Sequence, residues 1–214
     1  AIVIGGMIIA PLMWPLMKIS VGISLARQRY ISDSLLLFLI SIVVSIVSAY
    51  LITIVSPLKV LNAEILSRAQ PTLIDIIVAL AAGTVAALAV AKKNISSNLA
   101  GVAIASSLMP PLCVGGIGLA LLSFETAIGG FMLFIANAIS IVFAGIFVFR
   151  IVGIHSHAQE GLQRKSILFV SLMLIITAFP LFFFLRSYTF EAKAYQKTQT
   201  ILSSALKEIS PSIF

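Results

Sequence analysis

The chain has 214 residues, of which 60% are hydrophobic and 10% charged, and a mean hydropathy of +1.16. No water-soluble domain of this length sustains that composition, which excludes a soluble globular fold and indicates an integral membrane protein. Fourteen basic against seven acidic side chains leave a net charge of +7; in a membrane protein that excess belongs to loops facing anionic lipid, and it gives no argument for nucleic acid.

Apolar stretches near 34–56, 72–91, 99–122, 127–149 and 167–185 each approach or exceed the ~20 residues that cross ~30 Å of hydrocarbon. An interrupted stretch at 1–26 makes six. The runs are continuously apolar rather than alternating, which favours helices over barrel strands. The expected fold class is all-α, a polytopic transmembrane helical bundle of about six spans over 1–186, followed by an extramembrane tail at 187–214.

The first stretch opens on apolar Ala1 to Ala10, with neither a basic n-region nor an initiator Met. It does not read as a signal peptide, and the chain is expected to begin inside a longer protein. Pro11 and Pro15 interrupt this stretch on either side of Met13. Ahead of the third span, Glu64 and Arg68 stand at i,i+4 spacing, which permits an ion pair on one helix face, and Asp75 follows inside the span. These three are candidates for gating or ion coupling at the outer mouth. A structural role competes: Pro71 with Thr72-x-x-Asp75 has the form of a helix-start proline and capping box, and Glu64–Arg68 that of an interfacial pair. Ala79, Gly83, Ala87 and Ala91 form an i,i+4 stripe suited to helix packing.

In the fourth stretch Ser106 and Ser107 precede Pro110 and Pro111, and Gly115, Gly116 and Gly118 follow. Each proline removes a backbone donor and obstructs the carbonyl four residues earlier, so the adjacent pair should open a turn of the helix. Irregular backbone at membrane depth is tolerated only when packed in protein or lining water, which places 106–118 inside the bundle. A structural kink at a helix–helix contact is the competing reading. Cys113, the single cysteine, cannot form an internal disulfide and reads as a small packing residue.

Asn137 lies at the centre of the fifth span, between Ala136 and Ala138 and close to Ser140. An amide at mid-membrane needs partners. It either joins helices through hydrogen bonds worth roughly 0.6–2 kcal/mol or serves as a ligand to a substrate or ion. His155 and His157, with no cysteine or third histidine nearby, are a weak metal signal and read as a solvated loop. Asn94-Ile95-Ser96 matches a glycosylation sequon but falls on the side assigned below to the cytoplasm. In the tail, Tyr195, Ile201, Leu202, Ala205 and Ile209 fall near one face of an amphipathic helix that would lie on a surface or pack on a partner; a partly ordered end is the plainer alternative.

Sliding residues 5–26 onto 101–122, an offset of 96, pairs Gly5/Gly101, Ile8/Ile104, Leu12/Leu108, Met13/Met109, Pro15/Pro111, Leu16/Leu112, Gly22/Gly118 and Leu25/Leu121. The six spans then divide into repeat one at 1–91 and repeat two at 99–185. Three spans per unit is odd, so the units enter the membrane from opposite faces, a 3 + 3 inverted repeat with two proline-broken helices. The resulting substrate or ion pathway candidates are Pro11, Met13, Pro15, Ser106, Ser107, Pro110, Pro111 and Asn137. Loops 18–33, 92–98 and 150–166 hold eight of the fourteen Lys and Arg residues, so they are assigned to the cytoplasmic side of the membrane.

Four ordered motifs, Ile4-Gly5-Gly6-Met7-Ile8-Ile9-Ala10-Pro11-Leu12-Met13, Ala63-Glu64-Ile65-Leu66-Ser67-Arg68-Ala69-Gln70-Pro71-Thr72-Leu73-Ile74-Asp75, Gly101-Val102-Ala103-Ile104-Ala105 with Leu108-Met109-Pro110-Pro111-Leu112, and Leu133-Phe134-Ile135-Ala136-Asn137, resemble the bacterial and archaeal membrane family called domain of unknown function 389. The resemblance covers about residues 1–153. It implies a membrane location, the plasma (inner) membrane of a prokaryote, and no chemistry. Trp14 departs from the family pattern, where a glycine is expected, and adds bulk at the first break.

No Gly-rich phosphate loop, nucleophile elbow, His-Glu-x-x-His or paired-Cys motif occurs in the sequence, so neither an enzyme nor a cofactor or metal is expected. The expected partners are the lipid bilayer and a small solute or ion, with room for a homo-oligomer. The reading is a transporter or channel-like carrier. The opposing reading is a non-transporting membrane sensor or scaffold coupled to a soluble region N-terminal to this chain.

Overall fold

A computed structural model describes residues 12–56, 60–92, 97–154, 161, 164–165 and 167–179, the side chains of 97–99 excepted. Helices run α1 Met13–Ser24, α2 Gln28–Val55, α3 Ala63–Arg68, α4 Leu73–Ala91, α5 Ser97–Ala120, α6 Phe124–Ile151 and α7 Ile167–Phe179, and no strand occurs among the described residues. The fold is all-helical. Four of these helices, α2, α4, α5 from Ala100, and α6, are long and apolar enough to cross a membrane. The first expected span is described only from residue 12 and the sixth only to residue 179.

The bundle core is built by α1, α4, α5 and α6, with Leu12, Leu16, Met17, Ile104, Leu108, Met109, Leu112, Ile141 and Phe149 among its most enclosed side chains. Helix α2 inverts the pattern of a water-soluble surface helix. Its buried positions are the small residues Ser34, Ser45, Ala49 and Thr53, while Leu35, Leu36, Leu39, Ile40, Val43, Val47 and Leu51 point outward. Small residues let helix backbones approach closely where no apolar side chain needs hiding. Hydroxyls follow the same logic: Ser41, Ser45, Thr53, Thr84, Ser140, Ser171 and Thr177 each donate to the carbonyl four residues back in their own helix.

The pairs α1–α2 and α5–α6 are built to one plan. Helix α2 spans 28–55 and α6 spans 124–151, the same 28-residue length displaced by 96 positions. The preceding turns also match. Ala26 and Leu122 both adopt left-handed backbone, with φ of 54° and 57°, and they are the non-glycine residues that do so among those described. In one turn Arg27 N donates to Gly22 O at 2.8 Å and Ala26 N to Ile23 O at 3.2 Å; in the other Ser123 N donates to Gly118 O at 2.9 Å and Leu122 N to Leu119 O at 3.3 Å. Each is a Schellman closure of the helix C-terminus. Glycine is needed at both C3 positions, because a Cβ on Gly22 would stand 2.9 Å from Ile31 Cγ1 and one on Gly118 2.5 Å from Ala127 N, where the returning helix passes.

Contacts between the two pairs are reciprocal. Where α1 crosses α6, Ser20 Oγ donates to Val142 O at 3.2 Å, and a Cβ on Gly145 would lie 2.7 Å from Ser20 Oγ. Where α5 crosses α2, a Cβ on Gly116 would lie 2.9 Å from both Ile46 O and Ala49 Cβ. Positions 20, 142 and 145 become 116, 46 and 49 under the shift of 96, so matching positions meet at both crossings. Helix α4 completes the core through the expected small stripe: Ala79 and Ala87 are fully buried, and a Cβ on Gly83 would stand 2.8 Å from the Ile141 backbone of α6.

Candidate functional site

Asn137 is the fourteenth of the 28 residues of α6 and is 3% exposed. Its Nδ2 donates to the Ser107 carbonyl of α5 at 2.9 Å. That carbonyl is the acceptor that an amide at position 111 would have used, and Pro111 has none. The side chain of one helix thus replaces the donor that proline deletes from the other.

This corrects the expected break at Pro110 and Pro111, for α5 continues as helix from Ser97 to Ala120 through both prolines. The reason is local. Asn137 satisfies a freed carbonyl, and Gly130 of α6 allows α6 to press against this stretch, since a Cβ there would lie 2.7 Å from Pro111 O and from Gly115 N. The expected break at Pro11 and Pro15 lies partly outside the described residues, and the described helix begins between the two prolines, at Met13. Pro15 is the third residue of α1, inside a first turn whose amides need no helical partner. Pro11 lies outside the described residues.

The remaining pathway candidates separate by environment. Met13 is buried, and a Cβ on Gly101 of α5 would lie 3.7 Å from its sulfur. Trp14, beside it, is 56% exposed and therefore does not crowd the core. Ser106 faces outward and donates to Ala103 O at 2.9 Å, whereas Ser107 is 8% exposed and offers its carbonyl to α6. Ser107 Oγ and Asn137 Oδ1 are buried and have no hydrogen-bond partner among the described residues. Buried polar atoms are nearly always paired in native structures, so two on residues already joined by a hydrogen bond single out this spot.

The gating candidates are engaged otherwise. Asp75 Oδ2 accepts from Thr72 N at 2.9 Å and from Thr72 Oγ1 at 2.6 Å, which ties the carboxylate into the cap of α4. Glu64 and Arg68 are both exposed on the six-residue α3, and no ion pair joins them. His155, His157, the sequon at 94–96 and the tail at 187–214 lie outside the described residues. Among the described residues no group of three His, Cys, Asp or Glu could hold a metal ion. Sequence reasoning singled out Asn137, Ser107 and Pro111 separately. It missed their connection, for which the only signal was an amide and a proline pair, each at the centre of an apolar span.

Residues 7–143 match the family described as domain of unknown function (DUF389). The chain is 31% identical over 190 residues to an uncharacterized protein of Methanocaldococcus jannaschii, an alignment covering 88% of this chain and 59% of that protein. The chain thus spans about three-fifths of the relative's length. No solved structure matches it.

Proposed function

From a chain that belongs to the domain of unknown function (DUF389) family, whose name states no activity, we propose an integral membrane carrier of a small solute or ion, with its pathway at the Asn137–Ser107 pair. The observation that carries this reading is the pair of unpartnered buried oxygens at the middle of the two central helices. Polar groups at bilayer depth are costly, and those that persist face a bundle interior and mark substrate or ion pathways. The reading is non-enzymatic.

The carrier has an inverted repeat. Reciprocal contacts, in which residue i meets j' and j meets i', are the mark of two units related by a two-fold axis, and the α1–α6 and α5–α2 crossings have that form. One further membrane-crossing helix, α4, lies between α2 and α5, so the two hairpins enter from opposite faces and the axis lies in the membrane plane. The α1–α2 turn at 25–27 and the C-terminal ends of α4 and α6 face the cytoplasm of a prokaryotic cell, and α2 turns its leucines and isoleucines to lipid.

Purified protein reconstituted in liposomes tests the reading by flux over a panel of ions and metabolites. Flux of at least one solute, reduced tenfold or more by Ser107→Ala with insertion unchanged, is the expected result. No flux over the whole panel would sink it.

Three observations favour a second reading, a non-transporting sensor or scaffold. Pro111 is closely packed against Gly130, α5 is unbroken, and two-fifths of the relative's length lies beyond the aligned part. That reading predicts a dry α5–α6 interface, so an introduced Ser107→Cys in a Cys113→Ala background would resist water-soluble maleimides in every condition tried.

A further inference from the structure

The centre of the α5–α6 interface holds more oxygen acceptors than hydrogen donors. Pro110 and Pro111 delete two amide donors from this turn, while the carbonyls of Ser106 and Ser107 remain. Asn137 Nδ2 serves the Ser107 carbonyl, and Asn137 Oδ1 and Ser107 Oγ are left over, on residues more than nine-tenths buried. An amide oxygen can only accept, and a serine hydroxyl brings a single hydrogen. Bare acceptors in apolar surroundings call for a positive ligand.

The surroundings limit the charge of that ligand. Buried polar residues among those described are serines, threonines and Asn137, with no lysine or arginine to hold an anion. The four acidic residues described, Asp33, Glu64, Asp75 and Glu125, all stand within the first six residues of their helices, away from mid-span. A divalent ion would therefore leave water without a carboxylate to offset its second charge. Neutral oxygens can replace the hydration shell of a singly charged ion, as carbonyls do in potassium-selective filters. Resting on the carrier reading above, we propose that Asn137 Oδ1 and Ser107 Oγ are ligands of a site for an alkali-metal cation, which either is the transported ion or is bound together with the transported solute.

Thermal unfolding of the full chain in detergent tests this, in lithium, sodium, potassium or choline chloride at equal ionic strength. One alkali cation should raise the midpoint saturably by about 3 °C or more over choline. Ser107→Ala keeps the amide-to-carbonyl bond and should abolish that increment, while Asn137→Asp should lower the half-saturating concentration at least tenfold. Equal midpoints in all four salts, or an increment that survives in Ser107→Ala, overturn the site. Flux separates the two ideas: a cation-specific increment without flux keeps the site and removes the carrier, whereas flux without the increment keeps the carrier and removes the site.

Discussion

Phe38 of α2 stacks on Phe134 of α6, with ring centroids 5.9 Å apart and ring planes inclined by 16°. The two are counterparts under the shift of 96 residues. In an arrangement of two units about a two-fold axis, a residue meets its own counterpart only on the axis. The inverted repeat proposed above therefore predicts its axis between α2 and α6, three residues before Asn137. A double-mutant cycle of Phe38→Leu and Phe134→Leu should give a coupling of about 0.5–1.5 kcal/mol, read as unfolding free energy in mixed micelles. Strict additivity would show that the rings are neighbours without a mutual interaction.

The bond from Asn137 to the Ser107 carbonyl predicts a rescue. Asn137→Leu leaves a buried carbonyl without a donor and should cost about 1–3 kcal/mol. Adding Pro111→Ala restores an amide aimed at that same carbonyl, so the double variant should recover most of the loss. The measurement is the unfolding midpoint of the four proteins in detergent. If Asn137→Leu costs the same with and without Pro111→Ala, the amide is not replacing the missing donor.

Ala26 and Leu122 hold left-handed backbone at a cost of roughly 1–2 kcal/mol each, which glycine avoids. Leu122 is largely exposed and gives up little burial on truncation. Ala26→Gly and Leu122→Gly should each stabilise the protein by about 0.5–1 kcal/mol, by similar amounts and additively, because the two turns are built alike. Destabilisation by either one would count against the matched turns.

Gly83 of α4 faces the Ile141 backbone, which cannot swing aside as a side chain would. Gly83→Val should cost about 1–3 kcal/mol by overpacking, while Ala81→Val on the exposed side of the same helix should change stability by less than about 0.5 kcal/mol. Parallel chemical unfolding of the two variants makes the comparison.

The apolar runs near 34–56 and 127–149 anticipated α2 and α6 but began late, by six residues at Gln28 and three at Phe124. Those helices open with polar or charged residues such as Arg29 and Glu125, and the turns before them lack the glycine that ordinarily announces a left-handed cap. The offset of 96 was legible because Pro15/Pro111 and Gly22/Gly118 keep one register. The reciprocal crossings were not, since Ser20 against Val142 is a relation between helices that no local period records. The break expected at Pro110 and Pro111 failed for a similar reason. Proline announces a missing donor, but the replacement comes from Asn137 on the next helix. Thr72 and Asp75, whose bond is local, could be read in advance as a cap, and they form one.

The two Schellman turns have a mechanical consequence. Each closes its hairpin within three residues and presses the returning helix onto a glycine, so α1 with α2 and α5 with α6 behave as stiff levers. Bending inside either lever would have to undo backbone hydrogen bonds. The two levers meet side chain to side chain at the Phe38–Phe134 stack, so movement of one against the other breaks no helical hydrogen bond there.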